Sequence, residues 1–381
     1  MKLKSIVLTF ILALFYPFTF LCRVHQNRIT FISLEHENLS KDFKILHDKL
    51  STKQEYEIKT LLFKFQPTFL GQLQYGLACI QQLFVLQSSK LVIIDYNNFV
   101  ISKFPHRKEV KVLELWHATA ALKNFGNCVQ RDYEIKNYDY AIANSDFYKR
   151  VYAQAFNLPE ENVLVTGIPN NDKIFDEHFV KTTKEQLLKK YPALVGKRVI
   201  TYAPTFRGRI STYFKEVKID LARVHQALGE DYILIYKAHP LISGSAYENN
   251  PHVLFIEEEP ISSIFCVTDV LITDYSAIAV DWMVFDKPII AYVPDFKSYS
   301  KKPGLTIDYL QEFPGEVTFN EGELIQALQA TDSTSYQKER AMFFQKTYNY
   351  GDGKATERVL KVIEDLMTEK TVEKNMREVE I

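Results

Sequence analysis

Short apolar runs alternate with longer helix-patterned stretches along almost the whole chain, and this rhythm restricts the fold more than any other feature. "RITFISLE", "LVIIDYN", "VKVLEL", "DYAIANS" and "VLVTG" read as strands of the first half, separated by stretches such as "LGQLQYGLACIQQLFVLQSS" and "DFYKRVYAQAFN". A basic segment, "VKTTKEQLLKKYPALVGK" at 180–197, interrupts the pattern. The pattern then resumes with "RVITYAP", "DYILIYKAHP", "HVLFIEE", "VLITDYS" and "PIIAYVPD". Strands apolar on both faces and separated by helices form parallel sheets covered on two sides. The expectation is an α/β chain of two doubly wound, Rossmann-like domains with the boundary between 170 and 197. Side by side, such domains leave an interdomain cleft along the carboxyl edges of their strands, where these sheets bind ligands. The expected division is 1–27 for an N-terminal segment, 28–180 and 195–335 for the two domains, and 336–381 for helices packing back across both.

Composition removes several function classes. A length of 381 residues accommodates two cores, and 46% hydrophobic with 24% charged residues is globular composition. With a formal net charge of -1 there is no general positive field to hold a nucleic acid. Cys22, Cys79, Cys128 and Cys266 are scattered, without a CxxC pair, so neither a disulfide framework nor a zinc site is indicated. There is no P-loop, GxGxxG, GxSxG elbow or HxxxH, which removes the commonest ATPases, dinucleotide enzymes, serine hydrolases and helical zinc sites. "IEEEP" at 256–260 reads as a solvated charge run.

The first residues form a separate problem. Lys2 and Lys4 precede "SIVLTFILALFYPFTFLC", and Arg23, His25 and Arg28 follow it. "TFLCRV" lacks the small-x-small pattern of a signal-peptide cleavage site, and Pro17 interrupts a run at the short limit for a spanning helix. Bulky aromatics with flanking cations suit a helix lying in the membrane interface. A spanning helix and a buried core helix are the competing readings.

Polar residues concentrate where strands end. His117 follows "VKVLEL"; Thr205 and Arg207 follow "VITYAP"; Lys237 and His239 end "ILIY"; Thr273, Asp274 and Ser276 follow "VLI". One such residue is uninformative, but four strand ends carrying hydroxyls, cations or imidazoles point to a shared site. In "LITDYSAIAVDWMVFDKPII" a strand meets an apolar helix, whose first N–H groups at Ser276 and Ala277 offer an anion site; a plain capped helix is the alternative. "YAPTFRG" supplies a hydroxyl and a guanidinium suited to phosphate oxygens, and Pro240 restricts the backbone of His239.

These residues, in "ELWHATAALKNFG", "YAPTFRG", "YKAHP", "DVLITDYSAIAVDWMVFDKPIIAYVPD", "YSKKPGLTIDYLQEFPGEV" and "GDGKATERV", resemble the CDP-glycerol glycerophosphotransferase family of wall teichoic acid biosynthesis over about residues 90–360. Ala118 and "AALKNFG", where polymerising members usually read WHGT and PLKK, look like the priming branch. The family's double serine after "TDY" is Ser276-Ala277 here, so a role for a second hydroxyl is lost. The resemblance implies a GT-B fold, an acceptor domain at 28–180, a CDP-glycerol-binding domain at 195–335 and a peripheral place on the cytoplasmic face of the membrane. It implies CDP-glycerol as donor, an undecaprenyl-diphosphate-linked disaccharide as acceptor, other teichoic acid enzymes as further partners, and neither cofactor nor metal. On that pattern His117 and His239 are the catalytic pair. His117 is the candidate general base, since an imidazole of ordinary pKa about 6.5 is largely neutral near pH 7. Thr205, Arg207, Lys237, Thr273, Asp274, Ser276, Ala277 and Arg358 bind the donor, and Lys123 lies on the acceptor side. A teichoic acid polymerase, another GT-B glycosyltransferase and a non-catalytic membrane scaffold are the rivals.

Overall fold

The computed structural model describes residues 2–34, 37–66, 68–205, 207, 217, 219–238 and 252–369. It divides into two compact units, one of Met1–Thr119, Phe125–Asp172 and Tyr348–Ile381, the other of Ala120–Asn124 and Lys173–Thr347.

The first unit holds a six-stranded sheet of β1 (His25–Ser33), β2 (Glu57–Leu62), β3 (Ser89–Ile94), β4 (Lys111–Glu114), β5 (Tyr140–Ala143) and β6 (Val163–Val165), in the order β2-β1-β3-β4-β5-β6. All pairings are parallel. Its centre is β3, whose residues are buried throughout because helices cover a parallel sheet on its faces. Phe43, Leu46 and Leu50 from the helix Lys41–Ser51 join Val359, Val362, Ile363 and Leu366 from the helix Ala355–Met367 over Ile29, Phe31, Leu91 and Ile93. The 359, 362, 363, 366 spacing is one stripe of an α-helix, and each such side chain contributes about 1.5–3 kcal/mol on burial. Asp172 starts this last helix by accepting the N–H groups of Ala355 and Thr356, both at 2.8 Å.

The second unit repeats the plan with β7 (Arg198–Tyr202), β8 (Tyr232–Tyr236), β9 (Val253–Phe255), β10 (Val270–Thr273), β11 (Ile289–Tyr292) and β12 (Glu316–Thr318), in the order β12-β11-β10-β7-β8-β9, again all parallel. Alternate residues serve opposite faces. Ile200, Tyr202, Leu234 and Tyr236 pack with Leu221, Leu324 and Leu328, whereas Val199, Ile233 and Ile235 pack with Leu187 and Ile264. The chain proceeds from β7 outward to β9, then returns to β10 and continues the other way, so the topological switch point lies between β7 and β10.

The expected α/β architecture of two parallel sheets is present, with one strand more in each sheet than the sequence suggested. The additions are β2 and β12, both edge strands. β2 is only partly buried and reads "EIKTLL", without the apolar continuity of a central strand.

The apolar N-terminal run forms the helix Lys2–Thr19 with Pro17 near its end. Among the described residues no helix is long and apolar enough to cross a membrane. Leu12 is buried against Cys79, Leu83, Phe99 and Val100, while Ile6, Val7, Phe10, Leu14 and Phe18 are exposed.

Candidate functional site

In the first unit, β4 ends at Glu114 and its ladder extends through Leu115, whose N–H donates to Ile94 at 2.8 Å. The chain then turns sharply at Trp116, with φ 61°. A left-handed backbone at a bulky residue costs on the order of 1–3 kcal/mol and persists only where surroundings enforce it. The Trp116 ring stacks on Phe125 at 4.7 Å and meets Phe156 edge-on at 5.4 Å. Gly126 closes the loop with φ 58°, and a Cβ there would lie 2.3 Å from the Ala155 carbonyl oxygen, so the glycine of "LKNFG" is required sterically.

This turn presents His117, which is exposed although its neighbours on the strand are buried. Its ring stacks on Tyr96 at 4.0 Å and 10°, with Trp116 against it at 4.0 Å. Nδ1 lies 3.2 Å from the Asp95 carbonyl oxygen. A carbonyl can only accept, so Nδ1 carries the proton in the neutral ring and Nε2 carries the lone pair. That is the tautomer a general base at Nε2 requires.

In the second unit the cluster sits at the β7/β10 switch point, on the loops after those two strands. Asp274 is 1% exposed. It accepts the Thr205 N–H on both oxygens at 3.0 and 3.1 Å, the Thr205 hydroxyl at 2.9 Å and Arg207 Nη1 at 2.8 Å. Arg207 also grips Asp295, through Nε at 2.6 Å and Nη2 at 3.2 Å. Burial works against the guanidinium charge, but the hydrogen bonds of Asp295 and the nearby Asp274 more than offset it and hold the group firmly protonated. Tyr275 and Tyr299 stack at 3.9 Å, with Arg207 over both rings at 5.0 and 4.7 Å. Tyr309 donates its hydroxyl to the Asp274 carbonyl at 2.6 Å.

Several expected residues therefore have roles the sequence did not suggest. Arg207 spends its paired edge on carboxylates, where a pair of phosphate oxygens was expected. Thr273 donates its hydroxyl to the Ala203 carbonyl at 2.8 Å and is fully buried. Ser276 accepts the Ile278 N–H at 3.4 Å, and the helix after Ala277 is short, Ile278–Trp282, before tightening into a 3₁₀ turn. Lys237, at the end of β8, donates to the Glu257 carbonyl. His239 lies outside the described residues.

Lys123 and Arg358 fall in different units. Lys123, expected on the acceptor side, belongs with the second unit, because Ala120–Asn124 bonds to the segment around Leu305. The Thr306 N–H donates to Leu122 and the Asn124 N–H to Gly304. Burial lowers the Lys123 pKa, Asp274 opposes that shift and Arg207 adds to it. Arg358, expected beside the donor phosphates, lies in the first unit, paired with Asp352, 3.7 Å from the Tyr350 ring centre, and with Nη1 3.4 Å from the Thr166 carbonyl. Asp295, Tyr275, Tyr299 and Tyr309 were not singled out from the sequence. Asp295 was detectable as the polar end of the "PIIAYVPD" strand.

Among the described residues, His225, Glu230 and His252 form the group whose ligand atoms, all within 4.8 Å of one another, could hold a metal ion. They precede or flank β8 and β9 at the amino edge of the sheet, the edge opposite Thr205 and Asp274.

Comparison with known proteins agrees with this arrangement. The structure of the wall teichoic acid polymerase TagF superposes with a TM-score of 0.69 at 22% identity, covering 91% of this chain and 90% of that one, which establishes a shared fold. The teichoic acid ribitol-phosphate primase of Bacillus spizizenii is 28% identical over 364 residues, 91% of this chain and 92% of its own length. The teichoic acid glycerol-phosphate primase of Bacillus subtilis is 27% identical over 319 residues, 79% of this chain and 80% of its own. The profile of the CDP-glycerol:poly(glycerophosphate) glycerophosphotransferases matches residues 14–365, and the chain is a transferase belonging to that family.

Proposed function

We propose that this chain primes teichoic acid synthesis by moving sn-glycerol 3-phosphate from CDP-glycerol to an undecaprenyl-diphosphate-linked amino-sugar disaccharide. His117 Nε2 takes the proton of the acceptor hydroxyl as its oxygen attacks the phosphorus bonded to glycerol, and the bond to CMP breaks. CMP leaves with the bonding pair. The observation that carries this reading is the exposed His117 ring with Nδ1 committed to Asp95. His239, Lys237 and the N–H groups at Ser276 and Ala277 compensate the pyrophosphate charge, while Arg207 and Thr205 hold Asp274 and the loop after β7 in place. Ala118 with "AALKNFG" supports priming.

The mass of the product on a synthetic lipid-linked disaccharide is the test. One glycerol phosphate per acceptor supports priming, a ladder supports a polymerase, and no CMP release ends the reading. The ribitol-phosphate primase relative favours a second donor, a CDP-activated five-carbon polyol. Offering both donors separates the two by the mass added.

The place of action in this reading is the cytoplasmic face of the membrane. Phe10 and Leu14 on the N-terminal helix, and Phe69, Leu70, Leu73 and Leu77 on the adjoining helix Phe69–Ser88, are exposed, and the two helices pack together. Glutamate at Phe10 and Leu14 is expected to weaken binding to phosphatidylglycerol vesicles at least about tenfold, since each buried side chain contributes about 1.5–3 kcal/mol. Sedimentation with vesicles measures it; unchanged binding would place the contact elsewhere.

A further inference from the structure

Glu114 ends β4 fully buried, with the buried Leu113 and Leu115 beside it. Its side chain folds back along its own chain, and Oε1 accepts the Trp116 N–H at 2.8 Å. Oε2 is buried and has no hydrogen-bond partner. A leucine there would suit the core better, so packing does not explain a carboxyl group. What it does is local. It holds the backbone N–H of the one residue that must adopt φ 61° for the chain to leave the strand and present the next side chain. Phe125 and Phe156 fix the ring of Trp116, and Glu114 fixes its backbone.

We propose that Glu114 is a positioning residue for His117: by clamping the left-handed Trp116 it aims the imidazole so that Nδ1 meets the Asp95 carbonyl and Nε2 is the basic atom. The proposal rests on the reading of His117 as general base. Complete burial raises the Glu114 carboxyl well above its usual range, the Trp116 N–H opposes this and Asp95 adds to it. Burial thus favours the uncharged form of the Glu114 carboxyl. The ionisable groups around it are Asp95, Tyr133 and Tyr138.

Two substitutions separate positioning from packing. Glu114→Gln keeps an acceptor oxygen at the same place, whereas Glu114→Met keeps the volume without an acceptor. In the full chain, Glu114→Met is expected to lower kcat for CMP release about 10- to 100-fold, the scale of a small misplacement of a reacting group, with KM for CDP-glycerol within about twofold. Its acidic pH limb, which reports the base, should move by about half a unit or more. Glu114→Gln should stay within about threefold of the wild type, because the hydrogen bond to Trp116 survives. A Glu114→Met enzyme with wild-type rate overturns the proposal, as does a loss equal at every pH that matches a loss of folded protein. Nitrogen-15 spectra of the His117 ring provide a readout independent of turnover: Nδ1–H in the wild type and in Glu114→Gln, a mixture of tautomers in Glu114→Met. If the wild type releases no CMP, the functional reading fails while the spectra still decide the positioning role.

Discussion

His117→Ala is expected to slow CMP release from CDP-glycerol by about 100- to 10,000-fold, the range that general-base catalysis contributes. The loss should appear in kcat, with CDP-glycerol affinity by titration calorimetry nearly unchanged, because the base contributes when the acceptor hydroxyl reacts and the donor is held by other groups. Stability should hardly change. The ring is exposed and its Nδ1 bonds to a backbone carbonyl, a hydrogen bond worth about 1 kcal/mol. The readings divide sharply at this residue. A membrane scaffold that retained the fold without the chemistry would tolerate the substitution, and a rate within about fivefold of the wild type would rule out His117 as the base.

Asp274→Ala should produce the other large effect, and it should be a loss of stability as well as of activity. One carboxylate at 1% exposure satisfies the Thr205 N–H, the Thr205 hydroxyl and Arg207. Removing one partner of a buried ion pair typically costs about 3–5 kcal/mol, because the remaining charge keeps its desolvation penalty and loses its compensation. Asp295 still pairs with Arg207, so the lower end, on the order of 3 kcal/mol, is expected here. Urea denaturation measures the total, and hydrogen exchange at the ends of β7 and β10 locates it. Asp274→Asn, which keeps an acceptor for Thr205 but not the charge, should lie between the two. A midpoint for Asp274→Ala equal to that of the wild type would mean that the switch-point loops are held by Tyr275, Tyr299 and Tyr309 instead.

The two clusters differ in how much of them was readable in advance. Thr205, Arg207, Asp274 and His117 were found because polar side chains directly after apolar strands are anomalous in a buried parallel sheet. What those side chains do could not be read the same way. Arg207 in "YAPTFRG" resembles a phosphate ligand until Asp295, far along the chain, takes its paired edge. Lys123 lies six residues after His117 in sequence, yet it bridges to Leu305 through the bonds its neighbours Leu122 and Asn124 make with Thr306 and Gly304, and this places it with Asp274. The left-handed Trp116 gave no signal at all, since the usual sign of positive φ is glycine or asparagine.

By itself, then, the sequence determined the class of fold, ten of the twelve strands and the strand ends where polar groups collect, because hydrophobic period and helix-strand alternation are properties of neighbouring residues. The tertiary structure alone decided which carboxylate each cation meets, to which unit Lys123 and Arg358 belong, where the edge strands β2 and β12 lie, and how the His117 ring is turned. Those outcomes depend on contacts between residues far apart in the chain. Their energies come from burial and pairing, which no local pattern encodes.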